Sequence, residues 1–178
     1  MKSLFYIQIE NSTAHRKSRD FICESAFINP NNLEELFHLA LDISNKNHFK
    51  ACWSLELVLE KDIELITPYL DIFVNTVSKY KNDSAKRSIS KICMFLSNSK
   101  LIKSSEKQEQ ILSETCLDWL IKNEKVATKA YAIRALYNFS KNQPWIKDEL
   151  KIILAQDYSL HSAAYKTVAR EILKKLNK

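Results

Sequence analysis

The chain has 178 residues, 46% hydrophobic and 27% charged, with 27 lysines and arginines against 21 acidic residues and a formal net charge of +6. Such proportions suit a chain that buries one core and exclude a disordered tail. No apolar run approaches the ~18–20 residues of a membrane-spanning helix. The chain also contains no glycine, which excludes a P-loop, a G-x-G-x-x-G turn and a G-x-S-x-G elbow. Each of those needs backbone to approach a ligand closely or to take φ > 0 without a Cβ penalty.

Apolar residues recur at three- and four-residue spacing almost throughout, which predicts helices. The first spans residues 3–11. The second spans 14–27, with Phe21, Ile22, Ser25 and Ala26 on one side. Asn32 reads as an N-cap for Leu33-Glu34-Glu35-Leu36-Phe37, with Glu35 as its capping-box partner. Helices follow at 47–60, at 63–80 around Pro68, at 84–98, 105–122 and 125–141, and at about 145–156 and 161–177. Asparagines fill the turns between them, as at Asn45-Lys46-Asn47 and Lys81-Asn82-Asp83. Without glycine, asparagine is the next best residue for a left-handed turn position.

The connections are two to six residues long, so consecutive helices are expected to pack antiparallel within one domain over residues 1–178. The second helix of successive pairs starts near 47, 84, 125 and 161. A spacing of about 36–41 residues belongs to helical repeat arrays. Cys23, Cys52, Cys93 and Cys116 are scattered, with no C-x-x-C pair. They read as reduced core residues, with no metal site and no cofactor expected. The first seven residues hold too short an apolar stretch for a signal peptide, so a cytoplasmic location is expected.

Pro68-Tyr69-Leu70 followed by Asp83-Ser84-Ala85-Lys86-Arg87 resembles the HEAT repeat, with its proline and leucine in the first helix, aspartate in the turn, and small and basic residues opening the second helix. Phe49-Lys50-Ala51, Ala127-Thr128-Lys129-Ala130 and Ala163-Ala164-Tyr165-Lys166 are fainter echoes. The chain is also similar to small bacterial HEAT-like proteins through Ala51-Cys52-Trp53, Thr67-Pro68-Tyr69-Leu70 and Ala135–Ser140. The resemblance implies an all-α fold, an α-α superhelix of about four to five antiparallel pairs. Some members of that group are named adenylosuccinate lyases. This chain lacks the Gly-rich, Ser-containing loop of that superfamily and is far too short for its helical bundle.

In HEAT arrays the second helices line a concave face. The resemblance therefore implies a basic ridge of Lys50, Lys86, Arg87, Lys91, Lys129, Arg134, Lys166 and Arg170. Such a ridge suits an acidic protein partner or, alternatively, the phosphates of a nucleic acid. It is equally the pattern of repeats that pair a basic residue with a neighbouring aspartate or the adjacent repeat. Lys166, Arg170, Lys174 and Lys178 form a basic stripe at i, i+4 spacing, suited to a solvated cap.

Similarity to HEAT-like DNA alkylation repair glycosylases directs attention to aromatic–acid pairs. Adjacent Asp118 and Trp119 diverge by about 100° on a helix. Trp145 and Asp148 share a face, but on a first helix. Trp53 has no aspartate at i+3 or i+4. The tryptophans read as core, and no catalytic residue carries over. His48 with Cys52 is half a zinc site with no second half. His38 with Asp42 has base-and-orienter spacing but reads as an exposed ion pair. Glu56 with Glu60 reads as a solvated like-charge pair.

Overall fold

A computed structural model describes residues 2–156, 158 and 161–177. Those residues form ten α-helices and two short 3-10 segments, with no strand among them. The helices are α1 (Leu4–Asn11), α2 (Arg16–Ile28), α3 (Pro30–Leu41), α4 (His48–Lys61), α5 (Leu70–Thr76), α6 (Asp83–Asn98), α7 (Glu106–Ile121), α8 (Val126–Phe139), α9 (Pro144–Ala155) and α10 (Ala163–Leu176). The second helices of the last four pairs, α4, α6, α8 and α10, begin at residues 48, 83, 126 and 163. That is the expected repeat. The chain divides into two compact units, residues 1–89 and 90–178, with the division inside α6.

In the N-terminal unit α2, α3 and α4 pack on one another, and α1 lies on α3 and α4. Residues Ala51 to Leu59 of α4 are buried without interruption. A helix enclosed on every side is the central element of its unit. Leu36, Phe37 and Ala40 face it from α3, and Ile22, Cys23 and Ala26 from α2. Leu36 and Phe37 are at most 1% exposed, and burying such a side chain fully contributes about 1.5–3 kcal/mol. Phe37 stacks on Tyr69 with centroids 4.0 Å apart.

In the C-terminal unit α8 packs on α7, α9 and α10. Ala132, Ile133, Ala135, Leu136 and Phe139 of α8 fill the space between Leu112, Cys116 and Trp119 of α7 and Val168, Ala169 and Ile172 of α10. The alanines let the helices approach closely, and the isoleucines fill the gaps between them. All four cysteines are free and buried, as expected of core residues.

Several local expectations are corrected. Asn32 is not the cap of α3. Asn29 is, accepting the Asn31 amide at 3.0 Å, with Pro30 at the first helical position. Proline's fixed φ and missing N–H suit that position and draw the start forward. Asn32 instead donates to the Ser25 carbonyl, and Glu35 accepts from Ser3 Oγ. Phe21 is 52% exposed, and Cys23 takes its place on the buried face of α2.

The span 63–80 is not one helix. It is 3-10 over 63–69, α-helix over 70–76 and 3-10 again over 77–79. Pro68 lacks an amide hydrogen and disfavours α geometry at the residue before it.

Nor do five of the helices close on left-handed asparagines. Ser12, Asn29, Asp62, Lys122 and Gln156 leave their helices in extended backbone. Asparagine works through its side chain instead. Asn45 accepts the amide of Asn47, and Asn82 accepts those of Ser84 and Ala85. These are Asx turns, which need no positive φ.

Candidate functional site

The predicted basic residues fall on α4, α6, α8 and α10. Within the N-terminal unit, two of them are taken up structurally. Lys50 Nζ donates to the carbonyl of Glu10 near the end of α1, satisfying an acceptor that helix termini leave open. Arg87 Nη2 meets Glu56 Oε2 at 2.7 Å, and Ser88 Oγ donates to the same oxygen at 2.7 Å. Lys86 is half-buried beside them.

Glu56 is 2% exposed, which corrects its reading as a solvated partner of Glu60. A carboxylate can sit in a core only where cations and donors compensate it. Arg87 and Ser88, supplied by the next second helix, do so.

Within the C-terminal unit, Lys91 lies over the Phe95 ring at 5.3 Å. Arg134 Nη2 pairs with Glu171 at 3.1 Å, and Lys175 reaches the other oxygen at 2.7 Å. Hydrogen bonds from Lys175 and Arg134 hold the Glu171 carboxyl below the usual carboxylate range. Lys166 is half-buried, and its carbonyl accepts from Tyr158 Oη at 3.2 Å. Arg170 is exposed and touches the same hydroxyl at 3.4 Å. Lys174 is exposed, and Lys178 lies outside the described residues.

Lys129 stands apart. Its side chain is half-buried on the first turn of α8, with no hydrogen bond or ion pair among the described residues. Burial pushes its ammonium down, against the attraction of Glu124. It lines a cleft of about 510 Å³ with Leu120, Ile121, Ile153, Gln156, His161 and Tyr165. The His161 ring stacks on Tyr165 at 3.9 Å. The i, i+4 spacing of those two rings is the one signal in the sequence that could have pointed to this place.

The other pairings read from spacing are not made. His38 meets Glu34 at 3.5 Å, while Asp42 accepts from Ser44. His48 Nδ1 lies 2.8 Å from the Asn45 carbonyl, and Cys52 Sγ approaches the Ala40 carbonyl at 3.6 Å. No group of three metal-ligating side chains occurs among the described residues. Asp118 pairs with Lys122 at 2.6 Å on the exposed side of α7, while Trp119 is buried. Trp53 is core as well. Trp145 is not, being 45% exposed beside Glu106, Glu109 and Gln110. It is the first residue after Pro144 at the start of α9.

Ten short helices with a repeating second-helix start, each with a small-and-basic opening, meet a family match over residues 9–176. The chain belongs to the HEAT repeat domain family. No curated protein and no solved structure matches it. HEAT repeats generally mediate protein interactions through surfaces built from stacked helix pairs. In this HEAT protein two of the arginine contacts, Arg87–Glu56 and Arg134–Glu171, each join a second helix to the second helix of an adjacent pair. No helix among the described residues is long and apolar enough to cross a membrane.

Proposed function

We propose that residues 1–178 form a single HEAT-like domain, a non-catalytic interaction module that binds an acidic protein segment through basic residues of its second helices. The observation that carries this reading is a surplus of cations beyond those used in ion pairs. Arg170 is exposed, with only the Tyr158 hydroxyl beside it among the described residues. Lys129 makes no ion pair among the described residues, and desolvation of its ammonium outweighs the attraction of Glu124. Lys50, Arg87 and Arg134 are better explained as structural, so the proposed binding set narrows towards Lys129 and Arg170. An acidic segment would supply the missing counter-charges and gain orientation and association rate from them.

A nucleic-acid partner would use the same basic residues on its phosphates, but without a glycosylase-like pair at Asp118, which meets Lys122 while Trp119 is buried. Fluorescence anisotropy of labelled poly-L-glutamate and of duplex DNA across a salt series tests both. Poly-L-glutamate is expected to bind, and Lys129→Glu with Arg170→Glu to abolish it. Tight DNA binding with a steep log–log salt slope, and none to poly-L-glutamate, would replace the protein-partner reading.

A further inference from the structure

The cleft beside Lys129 has two kinds of wall. Leu120 and Ile121 from the end of α7, and Ile153 from α9, are aliphatic. The same cleft is lined by residues whose side chains can donate hydrogen bonds, Lys129, Gln156 and Tyr165. The Tyr165 side chain is 2% exposed, but its hydroxyl is not one of the fully buried atoms left without a partner. The Lys129 ammonium makes no ion pair among the described residues, and desolvation outweighs the attraction of Glu124. Both residues line one cavity, so one anionic ligand could reach both.

The chemistry of that ligand follows by elimination. A cation would face Lys129. A purely apolar group would leave the ammonium unpaired. A nucleic-acid backbone needs a succession of cations at phosphate spacing, whereas here one cation stands beside three aliphatic side chains. A carboxylate next to an aliphatic group matches both walls, and about 510 Å³ accommodates two side chains.

We propose that this cleft is the anchor subsite for the partner: it takes one glutamate or aspartate side chain of an acidic protein segment on Lys129 and Tyr165. An adjacent aliphatic residue of the segment lies against Leu120, Ile121 and Ile153. The inference rests on the protein-partner reading above and adds a specificity to it.

The test is amide chemical-shift mapping of the full chain with acetyl-Ser-Leu-Glu-Leu-Ser-amide. The controls are the same peptide with Gln for Glu and the Gln peptide ending in a free carboxylate. The Glu peptide is expected to shift residues 120–121, 129, 153–156 and 161–165, and to bind at least tenfold tighter than the neutral Gln peptide. Lys129→Met should remove that preference and Lys129→Arg retain it, both with an unchanged far-UV spectrum. Equal affinity for both internal peptides, shifts centred elsewhere, or preference for the free C-terminal carboxylate would overturn the anchor. If none of the peptides binds while poly-L-glutamate still does, the anchor alone is wrong. If poly-L-glutamate fails too, the protein-partner reading falls with it.

Discussion

Arg87 and Glu56 lie 31 residues apart, on successive second helices, and their side chains meet at 2.7 Å. Glu56 is 2% exposed, whereas the Arg87 side chain is 30% exposed. The carboxylate therefore depends on the arginine more than the reverse. Arg87→Met leaves a buried charge without its cation and is expected to cost about 3 kcal/mol. Glu56→Leu with Arg87→Met removes both charges and should cost less than the two single changes together. Urea unfolding followed by circular dichroism measures all three, and a loss below about 1 kcal/mol for Arg87→Met would refute the dependence.

The repeat was legible because its signal is collective. Second-helix starts at 48, 83, 126 and 163 follow from many apolar positions, so an error at one hardly moves them. Single-residue readings fared differently because neighbours in space decide them. Glu56 resembles any glutamate four residues from another until Arg87 and Ser88 arrive from 31 and 32 residues away. Asn32 carried a capping pattern, yet Pro30 fixed the helix start three residues earlier. Lys129 was legible as one of eight basic positions. Its cleft was not, because Leu120, Ile153 and Tyr165 reach it from three other helices.

The cysteines should be inert in the native protein. All four are buried. Desolvation pushes the Cys52 thiol up to about 12 and raises Cys23 as well. Burial and the neighbouring Cys116 push Cys93 well above the ordinary thiol range. The thiolate is the reactive species, so Ellman's reagent is expected to find no fast-reacting thiol at pH 8, and four after denaturation. Rapid reaction of even one thiol in the native protein would contradict this burial.

Glu10 gives the N-terminal unit an acid-sensitive contact. Its carboxylate accepts from Lys2 at 2.8 Å, with Lys46 at 3.4 Å and Asn47 at 3.3 Å, and the Lys2 hydrogen bond is the largest cause that lowers it to about 2. A carboxyl depressed in the folded state binds fewer protons there than in the unfolded chain, so folding gains from it above the unfolded value near 4.5. That gain is lost as pH falls from about 4.5 towards 2. Glu10→Gln should flatten the stability–pH curve of the N-terminal unit in this window and leave the slope above pH 6 unchanged. An unaltered curve between pH 2 and 5 would show that the contact contributes nothing.

The start of α7 is set by a reciprocal cap. Ser105 Oγ accepts the Gln108 amide at 3.3 Å, and Gln108 Oε1 accepts the Ser105 amide at 2.8 Å. Such caps satisfy two of the four open donors of a helix start. Ser105→Ala is expected to cost about 1 kcal/mol, whereas Ser105→Asp should be near neutral because its carboxylate can accept the same bond. Equal losses for both in urea unfolding would mean that the cap does not govern this end.

Arg134 and Arg170 separate structure from binding in the C-terminal unit. Arg134 shares the Glu171 carboxylate with Lys175, and both members of the Arg134–Glu171 pair are more than a third exposed. Solvent screens such a contact to below about 1 kcal/mol, but Arg134→Glu would also set two carboxylates against each other and should lower the melting temperature measurably. Arg170 is exposed and meets only the Tyr158 hydroxyl among the described residues. Its replacement by Glu should leave stability within about 0.5 kcal/mol while weakening poly-L-glutamate binding severalfold. Melting curves and anisotropy titrations on the two variants distinguish these roles. If Arg170→Glu binds as the parent protein does, the acidic partner does not use this part of α10, and the anchor at Lys129 must act without it.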